Sequence, residues 1–517
     1  MQPERRLFGL LAALGILLGA ARADAQLSYR LAPIGGRSQL LGGTGITFGR
    51  DASASFLNPA TAVLVDDQRL SFSVNFYKLT YMHASNWYAP GPVDPRFGNI
   101  DVRDRSMTDI DFDTPPSSLC FYFFSSKLNP LAARGRDEAL NNAHVGLCLA
   151  TIQSEEFNYG AEDFSKVQPN NGVTRQAQTL SQRYSQFAAG PTYALRVNNW
   201  LSIGASVHAS IITHRSLLTA SAVTYGTPAS AITSSFYGAS KGTSFQLAGT
   251  AGMTARFGKQ TLGLSVRSPT VHVFGVGGVN REATYDGAGS ETFQLAANGS
   301  FLARQPMRVG VGTGVEGTWG SLEIDAFYFH HLDAAYRAEL EGFQTTKQNG
   351  TIVDQPVTLD LAQRSNGVVN LAAGAELFMS PRISLLTGVS GDVSGAPAGT
   401  LRGTLFNYFA LRQNRLTASL GIGTHGAAGE LMLGTELAYG WGERLAVNSY
   451  QLPPEIGTAR HETYQLMFVV AGSTSLRALK RAVEDMKEVV REPTRQKPVL
   501  EPKPQKPIEL PGRREAD

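Results

Sequence analysis

Two cysteines, Cys120 and Cys148, are the whole thiol content of this chain. They are too few for a disulfide scaffold, but one bridge can form if the fold brings them together in an oxidising compartment. The alternative is a pair of small unbonded residues. His330-His331 has the composition of a metal pair, yet neighbouring strand residues point to opposite faces and cannot converge on one ion. Gly312-Thr313-Gly314-Val315-Glu316-Gly317 matches the G-x-G-x-x-G of dinucleotide sites. The next residues, TWGSLEIDAFYF, read as another strand, so no helix N-terminus is offered to a pyrophosphate. Asp101, Asp104, Asp109, Asp111 and Asp113 could bind divalent cations that bridge surface lipopolysaccharide, or work as acid–base pairs. A hydrolase also needs a nucleophile with a partnered histidine, and no such constellation is legible, so a solvated acidic loop is the simpler reading. No enzyme, cofactor or metal site is expected.

The remaining candidate is Gly49 to Val65, GRDASASFLNPATAVLV. It is soft and apolar, and Asn58-Pro59-Ala60 interrupts it. Pro59 removes a backbone donor and holds Asn58 extended, which suits neither a helix interior nor a central strand. Such a step either turns the chain into a following strand or belongs to an irregular segment whose backbone groups find partners elsewhere.

The elements that must position these residues are strands. In LSIGASVHASIIT, Leu201, Ile203, Ala205, Val207, Ala209 and Ile211 share one face, and Ser202, Gly204, Ser206, His208 and Ser210 share the other. This period of two runs for the length of a membrane-crossing strand, about 9–11 residues. The same alternation appears in RLSFSVNF, TLGLSVR and NRLTASLGIGT. It predicts about 14 strands, near residues 68–82, 116–125, 143–156, 181–196, 199–214, 243–257, 260–275, 300–317, 319–332, 366–380, 382–394, 414–426, 429–441 and 462–476. Tight connections at 198–199, 258–259, 319–320, 380–381 and 427–428 alternate with long polar excursions at 85–115, 155–179, 217–241, 337–364 and 442–460. Short turns at one end and long loops at the other are the pattern of an outer-membrane barrel, with both mature termini on the periplasmic side. A soluble sandwich or propeller requires no such alternation.

Composition agrees. The 517 residues include 54 Gly, 26 Phe and 17 Tyr, with 17% charged residues and a formal charge of +3, which leaves no electrostatic footprint for nucleic acid. Residues 1–25 read as a signal peptide: Arg5 and Arg6, an apolar run, then Ala23-Asp24-Ala25 as the cleavage site. Residues 26–67 precede the barrel at 68–476. An amphipathic periplasmic helix is expected at 477–492 and a Pro-rich disordered tail at 493–517, where a periplasmic partner could attach. Alternation puts Cys120 and Cys148 on the lumen side of their strands, and lumen positions read as largely Ser, Thr, Gly and Ala.

LLGGTGITFGRDASASFLNPATAV resembles the N-terminal segment of the FadL-type long-chain fatty acid transporter family. There a glycine-rich stretch with an Asp-Ala-Ser-like step and an Asn-Pro-Ala step precedes the first barrel strand. The matching positions are Asp51, Ala52 and Ser53, then Asn58, Pro59 and Ala60. The resemblance implies an all-β fold, a monomeric transmembrane antiparallel β-barrel of about 14 strands with an N-terminal hatch inside the lumen. It implies passive capture of a hydrophobic ligand, a fatty acid or hydrocarbon, from the outside and its lateral release through the wall. Outer-membrane lipid and lipopolysaccharide would surround such a barrel. The competing functions are a structural or adhesive barrel and a polar-solute porin. The chain departs from the family in continuing beyond its last strand.

Overall fold

The computed structural model describes residues 34–65, 69–85, 87, 99–100, 106–113, 118–132, 138–168, 172–225, 231–286, 290–348, 350–396, 412–426, 429–448 and 455–475. The expected signal peptide, C-terminal helix and tail, Asp101, Asp104 and the expected turn at 427–428 lie outside the described residues. Among the described residues no helix is long and apolar enough to cross a membrane.

Fourteen wall strands form one closed ring. They are β1 (Arg69–Ser85), β2 (Ser106–Asp113 and Ser118–Ser125), β3 (Ala143–Gln168), β4 (Gly172–Arg196), β5 (Leu201–Tyr225), β6 (Ala231–Phe257) and β7 (Gln260–Arg267 and Val271–Asp286). The ring continues with β8 (Ser290–Ala303 and Arg308–Gly317), β9 (Gly320–Phe329 and Leu332–Gln348), β10 (Thr351–Ser365 and Val368–Ser380), β11 (Ile383–Asp392), β12 (Arg412–Gly426), β13 (Gly429–Asn448) and β14 (Glu455–Ser475). Each strand ladders antiparallel to its sequence neighbours, and β1 pairs with β14 from Arg69–Ser475 to Ser85–Arg460, so the ring has no free side at that seam.

The two faces are chemically opposite, and that inversion defines the barrel as a membrane protein. Leu147, Phe187, Val207, Leu262, Val311, Leu420 and Leu437 are exposed on the outside, while Ser206, Gln186, Ser265, Asp325, Asn370 and Glu436 are buried inside. An apolar exterior around a polar interior is stable only where lipid is the outer solvent.

Several strands are interrupted. The two pieces of β7 are separated by Ser268-Pro269-Thr270 and those of β8 by Arg304-Gln305-Pro306-Met307, because proline cannot donate to a ladder. The wall is stitched across these breaks by Thr270 N to Gln305 O at 3.1 Å and by Gln305 N to Thr270 Oγ1 at 2.8 Å. His330-His331 lies at the break within β9, so the two rings do come together, with centroids 4.1 Å apart, against the expectation of opposite faces. Among the described residues no three metal-ligating side chains cluster.

The expected long loops are corrected. Most of residues 155–179, 217–241, 337–364 and 442–460, and Asp109, Asp111 and Asp113 within 85–115, belong to strands that continue past the apolar belt. Beyond lipid neither face need be apolar, and Thr351–Ser365 is largely exposed on both faces.

The tight turns stand at 197–200, 258–259, 318–319 and 381–382, with Gly258 at φ +63°. Cys120 and Cys148 lie directly opposite each other on β2 and β3, buried on the lumen side and joined as a disulfide. Protein denatured without reductant is expected to take up no thiol-reactive maleimide and to take up two after reduction; two labelled thiols before reduction would contradict the bond.

Candidate functional site

The first described residues do not join the wall. Residues 34–65 form a short helix α1 (Gly36–Leu40), a second short helix α2 (Ser53–Phe56) and a 3-10 helix at Pro59–Leu64, and nearly every residue is buried. α1 lies against β11 to β14 and β1, and the 3-10 helix against β3 to β6. The loop between α1 and α2 meets β7 to β9, so wall strands surround the segment on all sides.

The wall makes room by omitting side chains. A Cβ on Gly310 or Gly312 would sit 2.9 Å from Ile46, and one on Gly374 would sit 2.8 Å from Leu41. On the far side, a Cβ on Gly204 would meet the Pro59–Ala60 peptide at 2.5–2.7 Å. Gly312 and Gly314 of the G-x-G-x-x-G match, with Gly310, therefore form a groove for the inner segment.

An irregular backbone needs partners for its N–H and C=O groups, and wall side chains divide the work by charge. Asp325 Oδ2 accepts from Gly45 N at 2.9 Å and Ile46 N at 3.1 Å, and Glu323 Oε1 accepts from Thr47 N at 2.6 Å and Phe48 N at 3.4 Å. Carbonyls are met by donors instead. Arg308 Nη2 donates to Phe56 O at 2.7 Å and Leu57 O at 3.2 Å, Ser206 Oγ to Ser55 O at 2.9 Å, Ser419 Oγ to Leu40 O at 2.9 Å, and Arg196 Nη2 to Val63 O at 3.1 Å. Bonds of this kind to charged groups contribute about 1.5–3 kcal/mol each. The lumen is therefore more charged than the Ser, Thr, Gly and Ala reading allowed: Glu323, Asp325, Glu376, Glu436 and Arg308 are all buried in it.

The residues singled out from the sequence sit at the knots of this segment. Asp51 Oδ2 accepts from Arg37 N at 3.0 Å and Ser38 N at 3.3 Å, while its Oδ1 accepts from Ser53 N at 2.9 Å. One carboxylate thus ties the start of α1 to the start of α2, where Ala52 holds the N-cap position without a side-chain cap. Gly35, at φ +98°, passes so close to this carboxylate that no side chain fits there. Asn58 is the N-cap of the 3-10 helix: its Oδ1 accepts from Ala60 N at 3.1 Å, and Pro59 occupies the first helical position, where a missing N–H costs nothing. Asn58 Nδ2 reaches back to Ile46 O at 2.7 Å and across to Met253 O of the wall at 3.2 Å. The step that looked unfit for a helix is a helix start.

Long-range convergence supplied what the sequence did not display. Arg37 pairs with buried Glu376, and Gln39 Nε2 donates to Glu436 Oε2 at 3.0 Å. Ser384 Oγ lies 2.8 Å from both Glu376 Oε1 and His425 Nε2, and His425 Nδ1 lies 3.7 Å from Glu430 Oε1. This serine–histidine–carboxylate grouping was not legible in the sequence. Ser384 is completely buried and shares Glu376 with Arg37, so the group acts here as a clamp on α1.

Beside α2 a cavity of about 50 Å³ opens, bounded by Ile34, Phe56 and Leu57 of the segment and by His208, Arg308 and Phe329 of the wall. It extends to Ile152 and Gln153 on β3. Among the described residues, β3 pairs with β2 over Ala143–Ala150 and with the two-residue strand Asn99–Ile100 at Val167–Gln168; residues 151–166 have no ladder partner on that edge. The cavity meets the wall at a register shift of the β3–β4 ladder, at Thr151/Gln153.

No protein-family model matches the chain, and no curated protein sequence does. In structure it is similar to the CymD monoaromatic hydrocarbon channel, at TM-score 0.49 and 15% identity over 86% of this chain and 97% of that one. It is similar to a Pseudomonas aeruginosa FadL homologue, at TM-score 0.49 and 15% identity over 88% and 100%. A third likeness, to the Ralstonia pickettii toluene transporter TbuX, has TM-score 0.47 and 14% identity over 86% and 99%. The 14-stranded ring rests on its own hydrogen-bond ladders.

Replacing Asp325 by Ala strands two backbone donors. Amide exchange at Gly45 and Ile46 is expected to speed up about ten-fold or more, corresponding to roughly 1–3 kcal/mol of lost protection, with heat-modifiable gel migration of the barrel retained. Unchanged exchange at these two amides would contradict the anchoring role.

Proposed function

We propose that this chain is an outer-membrane transporter of the FadL type, which takes up hydrophobic small molecules passively and releases them sideways through its wall. The observation that carries this reading is the cavity beside α2, which reaches Ile152 and Gln153 on β3 at a register shift of the β3–β4 ladder. An apolar ligand gains by leaving water for Phe56, Leu57 and Phe329, and a lateral exit returns it to an apolar phase without crossing the polar lumen floor. Long-chain fatty acids are the first ligand class to test, with Arg308 available to an acidic head. Asp51, Ala52, Ser53, Asn58, Pro59 and Ala60 are assigned to the hatch that moves.

Size decides that something must move. Pockets for drug-sized ligands run to about 300–1,000 Å³, several times the cavity present, so α2 with Phe56 and Leu57 must shift to admit a ligand. The barrel works as a monomer amid outer-membrane lipid and lipopolysaccharide, with both termini periplasmic and the tail open to a periplasmic partner. A polar-solute porin is the weaker reading, because Leu40, Ile46 and Leu57 fill the lumen.

Protein purified without added lipid is expected to carry a hydrophobic ligand identifiable by mass spectrometry. Ala248→Phe, which fills the cavity from the wall, should reduce uptake by ten-fold or more with the barrel folded. A ligand-free barrel with large ion conductance, or full uptake by Ala248→Phe, would overturn the reading.

A further inference from the structure

Both strands of the β7–β8 seam are described throughout, over 260–286 and 290–317, yet their ladder is not continuous. It runs from Gln260–Val315 to Arg267–Arg308, stops, and resumes at Val276–Ser300. Residues 268–275 and 301–307 lie on either side of this gap, where Thr270 N donates to Gln305 O at 3.1 Å and Gln305 N to Thr270 Oγ1 at 2.8 Å. The neighbouring seams reclose sooner: β6–β7 resumes at Leu247–Val271 and β8–β9 at Ala303–Tyr336. Pro269 and Pro306 flank the Thr270–Gln305 contact, one on each strand. Parting two laddered strands in lipid strands a donor and an acceptor at every bond, but a proline has no donor to strand.

The gap lies between the cavity and the lipid. On its inner side Arg267, Gln305 and Arg308 line the cavity. The Gln305 side chain spans them and the far wall, accepting from Arg267 Nη2 and donating to Gln186 Oε1 on β4. On its outer side a register shift at His272/Phe274 leaves Val273 and Phe274 both exposed, beside exposed Val271 and Val276. Gly275 comes so near to Phe301 O that a Cβ would stand 2.0 Å from it, so the seam is closed in this state.

We propose that the β7–β8 seam is the lateral portal of this barrel and that Gln305 is its gate. This rests on the lateral release proposed above and names where it occurs. A ligand in the cavity meets the amide bridge of Gln305; when that bridge breaks, the strands part between Arg267–Arg308 and Val276–Ser300 at the loss of few ladder bonds. The ligand then leaves past Val271, Val273 and Phe274 into lipid, so an apolar body is matched along the outer half of the route. Gln305 is thereby a positioning residue, whose main chain holds the seam and whose side chain closes its inner mouth.

The Thr270→Cys/Gln305→Cys pair staples the seam. Its closure is scored by loss of maleimide-reactive thiols on oxidation, with heat-modifiable migration reporting a folded barrel. Cells carrying the closed staple should take up tritiated palmitate about ten-fold more slowly than the same cells after mild reduction, while the purified stapled barrel binds palmitate within about three-fold of wild type. Gln305→Ala should raise uptake about three-fold or more. Full uptake through the closed staple, loss of binding together with uptake, or a pair that does not close would overturn the portal; Gln305→Ala at the wild-type rate or below would overturn the gate. Wild-type cells that take up no palmitate would instead overturn the transport reading, and the portal with it.

Discussion

Everything in this molecule depends on one requirement: a stretch of irregular backbone inside a membrane barrel must find a partner for each N–H and C=O, because lipid offers none. The wall meets it with acceptors in one place and donors in another. Carboxylates on β9, Glu323 and Asp325, take the N–H groups of Gly45 to Phe48, and a guanidinium on β8, Arg308, takes the carbonyls of Phe56 and Leu57. Remove that complementarity and the segment has no reason to stay in the lumen; with it, the segment occupies the lumen.

Space is the second half of the same constraint. Glycines at 204, 310, 312 and 374 let the wall approach the segment's backbone to distances a Cβ would forbid. Phe56, Leu57 and Phe329 place side-chain volume around the cavity. The segment is tied at Asp51 and Asn58, while its α2 side borders the cavity that reaches Ile152 and Gln153 of β3.

The legibility of this fold in its sequence tracks the solvent. Where lipid bathes the wall, the outer residue of every pair must be apolar, so Leu201 to Ile211 announce their strand and its faces. Past the lipid the rule lapses, and Thr351–Ser365 reads as loop although it is strand. The inner segment is legible as an anomaly but not in its detail. Asn58-Pro59 carries the signature of a helix start, a capping amide before a proline, yet the same two residues read equally well as a stiff extended step. Glu323 and Asp325 are visible as an i, i+2 acidic pair opposite Leu322 and Ile324, yet only the ring order shows that they face Gly45 to Phe48. Ser384 and His425 lie on different strands, and nothing local in either strand signals that they meet.

The central claim is that the segment filling the lumen must move for a ligand to pass. Ser55 on α2 and Thr192 on β4 are in side-chain contact, so Ser55→Cys with Thr192→Cys can lock α2 to the wall. The most direct measurement is uptake of a labelled fatty acid by cells carrying this pair, before and after mild reduction, against equally treated wild type. The account predicts uptake abolished while the lock is closed and restored when it is reduced; full uptake through the locked protein would contradict it.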